Sequence, residues 1–158
     1  MILIAYDGSA DAQTAIDRAG QLLGSEDVTI LAVWERFIDV VTRAGGGIPV
    51  GEVDYEALDR GYEDEARKRA EQGLERARRV GLNAQALVRV REGTVATTIL
   101  AEADDLGADA IVLGTRGLTG LKSLLLGSVS HGVVQHAHIP VMIVPSPETA
   151  AERTARRS

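Results

Sequence analysis

The chain has 158 residues, 45% hydrophobic and 25% charged, with 17 basic against 23 acidic side chains and no cysteine. That is about one domain's length, enough to bury a substantial core, and the missing cysteines exclude disulfides, zinc–thiolate sites and thiol catalysis. A net charge of −6 argues against non-specific nucleic-acid binding, which depends on basic surface, and no apolar run approaches the length of a membrane span. With Met1 leading straight into an apolar run rather than a leader-like segment, the expected location is the cytoplasm.

Ile2 to Tyr6 is an apolar run of strand length, closed by the turn residues Asp7-Gly8-Ser9. Ser9 is a good N-cap for a helix that places Ala12, Ala15, Ile16, Ala19, Leu22 and Leu23 on one face and ends at Gly24. A second apolar run, Val28 to Val33, completes a βαβ unit. After Trp34 the pattern lapses through RFIDVVTRAGGGIPVGEV, so a mobile loop is expected at about 35–53. A loop of that length is either a flap beside a ligand or partner, or a tolerated insertion. From Tyr55 onward Leu58, Tyr62, Ala66, Ala70, Leu74 and Ala77 recur mostly four apart among charged residues. That spacing predicts a long surface helix with a solvated face, ending near Gly81.

Ala84, Ala86, Val88 and Val90 alternate with mostly polar neighbours, as in a half-exposed strand at a sheet edge. Gly93-Thr94 opens a helix with Ile99, Leu100, Ala103 and Leu106 facing inward, and Gly107 closes it. Ala110 to Leu113 is apolar on both faces, as in the middle of a parallel sheet. A glycine-rich stretch and a helix from Ser128 follow, then Pro140 and a last strand, Val141 to Val144. Residues 1–146 are expected to form one domain, and 147–158, polar and without strand pattern, a flexible C-terminal tail. Five alternations of strand and helix predict an open α/β sheet covered on both faces.

The stretch AIVLGTRGLTGLKSLLLGSVS, residues 110–130, carries the chemistry. A glycine-rich turn between a strand and a helix can aim several N–H groups at one point, and a helix start adds unpaired donors and the positive end of its dipole. Together these describe a cradle for phosphate. The spacing Gly114-x2-Gly117-x9-Gly127-Ser128 matches neither a P-loop nor a dinucleotide fingerprint. Any one of these glycines alone reads as a tight turn or a cap; four, at 114, 117, 120 and 127, around one junction favour a ligand. Arg116 and Lys122 are placed either to meet phosphates or as solvated surface chains. His131 lies three residues into the helix from Ser128, placed to face a phosphate but where a helix N-terminus disfavours a charged ring, and His136 and His138 read as helix-end and surface residues rather than metal ligands. No nucleophile–base pair is legible at any spacing.

The G-x2-G-x9-G-[ST] pattern after an apolar strand, closing on HIPVMIVP at 138–145, resembles the nucleotide-binding signature of the universal stress protein family. The resemblance runs from Ile2-Leu3-Ile4-Ala5-Tyr6-Asp7-Gly8-Ser9 to Pro145. It implies a Rossmann-like, open five-stranded parallel sheet of order 3-2-1-4-5, with ligand at the carboxyl ends of strands one and four. Carried over residue by residue, it places Gly114, Gly117, Gly127, Ser128, Val129 and Ser130 on the phosphates, and the main chain of Thr115, Arg116, Leu118, Thr119 and Gly120 along the wall. Asp7 stands near the ribose and phosphates, able to accept ribose hydroxyls or help hold Mg²⁺. Ala5 and Val33 flank the adenine, Ala5 standing where some ATP-binding relatives have proline. The family has members that bind ATP and members that bind no nucleotide. The implied function is an ATP-binding, stress-responsive regulatory module with at most slow turnover and an unidentified protein partner. The alternative is a dimeric interaction protein whose nucleotide site is vestigial or takes AMP or a cyclic nucleotide. In both, the homodimer forms through strand Val141–Val144.

Overall fold

A computed structural model describes residues 1–24, 26–47, 51–118 and 126–156. Five strands, β1 (Ile2–Ala5), β2 (Asp27–Trp34), β3 (Asn83–Val90), β4 (Ala110–Gly114) and β5 (Val141–Val144), make one parallel sheet in the order β3-β2-β1-β4-β5. The helices are α1 (Ala10–Leu23), α2 (Phe37–Arg43), α3 (Tyr55–Arg79), α4 (Val95–Asp105), α5 (Ser128–His136) and α6 (Pro147–Ala155). Ile4 of β1 lies beside Ile30 of β2 and Val112 of β4, so the turns after β1 and β4 emerge together at one end of the sheet.

Because successive strand residues face opposite ways, the central strands feed two cores. Ile2, Ile4, Val28, Ile30 and Val112 pack on one face with Ala12, Ala15, Ile16 and Ala19 of α1 and Ala77 of α3. Leu3, Leu31, Ile111 and Leu113 pack on the other with Ala96, Ile99 and Ala103 of α4 and Val133 of α5. The small residues Ala66 and Ala70 bring the long α3 down onto Ala32, Trp34 and Val88. Among the described residues no helix is long and apolar enough to cross a membrane.

Two segments differ from the expectation. The loop expected at 35–53 contains α2, which is held from outside: Asp59 accepts the Phe37 amide at 2.7 Å, and the Phe37 ring lies 6.2 and 6.4 Å from those of Tyr55 and Tyr62. Arg43 pairs with Glu35 at 2.7 Å, beside Arg91 from the end of β3. A seven-residue helix without a side-chain cap has little signal of its own. The tail expected to fray forms α6, capped by Ser146 with Pro147 in its first turn and Thr149 buried. Ser146 before Pro147 is a helix-start pattern, set here among polar residues.

Candidate functional site

Asp7 leaves β1 and reaches across to the loop after β4. Its Oδ1 accepts the amide of Ser9 at 3.0 Å, and its Oδ2 accepts the amide of Leu118 at 3.1 Å. A Cβ on Gly117 would sit 2.6 Å from that Oδ2, so the carboxylate occupies the space a side chain at 117 would need. Ser9 adds a second tie: its Oγ accepts the Ala12 amide at 3.2 Å as the cap of α1 and donates to the Arg116 carbonyl at 3.3 Å. The convergence of Asp7 with the glycine loop, expected from the strand order, is thus made by direct hydrogen bonds.

Behind the loop lies a residue the sequence did not single out. Asp11, in the first turn of α1, is 5% exposed. Its Oδ2 accepts the Arg116 amide at 3.0 Å, and its Oδ1 accepts the Ser146 amide at 3.1 Å and the Thr149 hydroxyl at 3.0 Å. An acid in a first helical turn is ordinarily read as complementing the dipole, so its burial had no signature. Gly114 belongs to the same packing: a Cβ there would lie 2.7 Å from Asp11 Cβ and 2.8 Å from the Ala12 nitrogen.

The Arg116 side chain fits neither description expected of it. It is not a solvated surface chain, being 11% exposed, and its guanidinium pairs with Glu152 of α6 at 2.8 Å rather than standing free for phosphate. Thr115 is buried, its amide donating to the Val144 carbonyl at 2.9 Å. The Ser130 hydroxyl turns inward, 2.8 Å from the Gly114 carbonyl and 3.0 Å from that of Thr115. Thr119, Gly120 and Lys122 lie outside the described residues.

The start of α5 is built unlike those of the other long helices. α1, α3, α4 and α6 begin on Ser9, Asp54, Thr94 and Ser146, whose side-chain oxygens each accept an amide of the first turn. α5 begins on Gly127, which has no side chain to offer; the Gly127 amide donates to the Thr115 carbonyl at 2.9 Å, and His131 donates back to the Gly127 carbonyl at 2.9 Å. The amides of Ser128, Val129 and Ser130 have no acceptor among the described residues. Three donors and a helix dipole at that position suit an anion.

Ala5 and Val33 are half-buried on the sheet face that carries Leu3 and Leu31, two strands side by side. His131 is exposed. His136 Nδ1 lies 2.9 Å from the Gly132 carbonyl, and His138 Nε2 lies 3.3 Å from Asp104. Among the described residues no three acidic, histidine or cysteine side chains gather as a metal site.

Residues 1–145 match the universal stress protein family. The chain is 33% identical over 145 residues to universal stress protein YxiE of Bacillus subtilis, covering 90% of this chain and 97% of that one. It is 31% identical over 147 residues to universal stress protein MJ0531 of Methanocaldococcus jannaschii, covering 93% and 82%. Among solved structures, the hypothetical protein MJ0577 superposes with a TM-score of 0.72 at 28% identity, covering 91% of this chain and 94% of that one. A universal stress protein of Archaeoglobus fulgidus in complex with dAMP has a TM-score of 0.60 at 21% identity, covering 90% and 95%. A universal stress protein in complex with cAMP has a TM-score of 0.58 at 23% identity, covering 92% and 95%.

Proposed function

The chain belongs to the universal stress protein family, and from that premise we propose that it is a regulatory module that binds an adenine nucleotide, ATP with Mg²⁺, where β1 and β4 end. The observation that carries the reading is the uncapped start of α5, where the amides of Ser128, Val129 and Ser130 meet no acceptor among the described residues. Phosphate oxygens match that donor set and the helix dipole behind it. Asp7 stands across the loop, held by two amides. A carboxylate has about four lone-pair sites, so Asp7 retains capacity for a ribose hydroxyl or for one position on Mg²⁺, an ion that usually keeps several waters. Mg²⁺, when bound, would neutralise phosphate charge. Ala5 and Val33 offer an apolar wall for a flat ring on one sheet face. The relatives solved with dAMP and cAMP support an adenine nucleotide as the occupant.

Fast hydrolysis needs a positioned water and groups that act on the transition state; the module therefore acts by occupancy, with at most slow turnover. The same reading includes a homodimer, because β5 lies at the sheet edge with Val141, Met142 and Ile143 only partly buried.

The test is calorimetric titration of the purified protein with ATP, ADP, AMP and cAMP, with and without Mg²⁺, beside Gly117→Asp. Saturable binding to the parent, tightest for ATP with Mg²⁺, is expected. The variant, whose new carboxylate would crowd and repel Asp7, should bind nothing. Tightest binding of AMP or cAMP would replace ATP as the occupant, and a parent that takes up none of the four sinks the reading.

A further inference from the structure

The last helix, α6 (Pro147–Ala155), lies beyond the residues that match the family, yet it is fastened to the loop that follows β4. Two links make the connection. Asp11 bridges the Arg116 amide on one oxygen, at 3.0 Å, and the Ser146 amide and Thr149 hydroxyl on the other, at 3.1 and 3.0 Å. Glu152, one turn further along α6, holds the Arg116 guanidinium at 2.8 Å. A single residue of the loop is thus gripped at its main chain through Asp11 and at its side chain directly. Two residues on, the Leu118 amide meets Asp7.

We propose that Thr149 and Glu152 are positioning residues for the nucleotide loop: acting through Asp11 and Arg116, they hold the main chain at 116–118 for the phosphates, so that seating of α6 and binding of nucleotide favour each other. The inference rests on the reading of the site given above. Its physical basis is the cost of releasing α6. Thr149 and Asp11 are 4% and 5% exposed, so undocking strips hydrogen bonds from a buried carboxylate and leaves it to recruit others. The Arg116 amide is already held on the other oxygen of the same carboxylate, so a turn of Asp11 towards a new donor disturbs that hydrogen bond and the loop with it. By thermodynamic linkage, whatever loop order contributes to nucleotide affinity, nucleotide returns to the docking of α6.

The experiment uses the full chain with Thr149→Val, which keeps the shape and removes the donor, Thr149→Ser, which keeps the donor, and Glu152→Gln at the rim of the contact. Amide hydrogen exchange is read without nucleotide for every protein and also with ATP and Mg²⁺ for the parent, and affinity for ATP with Mg²⁺ by calorimetry. Thr149→Val and Glu152→Gln should speed exchange at Arg116 to Leu118 by about tenfold and weaken ATP by about tenfold. Thr149→Ser should restore both, and ATP should slow exchange within α6 of the parent. Parent-like loop exchange and affinity in both weakened variants, with only α6 exchanging faster, would make α6 a simple latch and overturn the proposal. If Thr149→Val does not fold, Glu152→Gln decides on the same two readings. If the parent takes up no adenine nucleotide, the binding reading fails separately. The loop–helix link is then decided by exchange alone: faster at Arg116 to Leu118 upholds it, unchanged overturns it.

Discussion

Two glycines of one motif lack side chains for different reasons. At Gly114 the space is taken by backbone and Cβ atoms of α1, which cannot swing away, whereas at Gly117 it is taken by the end of the Asp7 side chain. Gly114→Ala must therefore push α1 off the end of β4. It is expected to cost about 2 kcal/mol, a melting temperature lower by about 6 °C in a domain of this size; an unchanged melting curve would show that the strand end relaxes instead. Tyr6 supplies a pH dependence. Burial pushes its phenol above the ordinary value of about 10, Asp7 adds to the shift, and Arg76 partly offsets it. The folded state thus holds the proton after the unfolded chain has lost it. The stabilisation is complete below about pH 10 and is lost as pH rises through the higher folded value. Denaturant titrations between about pH 9 and 11 should show a steeper loss for the parent than for Tyr6→Phe; parallel curves would contradict this.

The two edge strands are treated differently. β3 carries Asn83, Gln85 and Arg89, and polar side chains of this kind discourage a second chain from pairing along an edge. β5 reads Val-Met-Ile-Val, without a charge, and is the edge suited to a two-fold strand pairing. If the proposed dimer forms through β5, Ile143→Lys is expected to yield monomers in light scattering with the far-UV circular dichroism retained; a folded dimer would remove β5 as the interface. Helices show what sequence signal depends on. α1 and α4 were legible because an N-cap, an apolar stripe and a closing glycine agree. α2 was not, because its support comes from Asp59, Tyr55 and Tyr62 on α3 and from Arg91 beyond β3, none of them neighbours in the chain.

For the molecule as a whole, a net charge of −6 means that binding a polyanion must come from local donors and not from the overall field. At ligand about 100 times its dissociation constant, ATP with Mg²⁺ should stabilise the protein by about 2.7 kcal/mol, raising the melting temperature by about 8 °C. The Gly117→Asp protein should not respond, and equal shifts in both would place the ligand elsewhere. Local pattern determined the alternation of strand and helix, the buried central strands, the β3 edge and a glycine-rich strand-to-helix junction, because each is written in residues a few positions apart. The strand order came from family likeness and not from periodicity. What only the tertiary structure decided is which donors at that junction are already taken. Leu118 is claimed by Asp7, Arg116 by Asp11 and Glu152, and the Ser130 hydroxyl by the end of β4, while the amides of Ser128, Val129 and Ser130 meet no acceptor among the described residues. Those partners lie from 16 to more than 100 residues apart along the chain, and a hydrogen bond depends on distance in space, which no spacing along a sequence encodes.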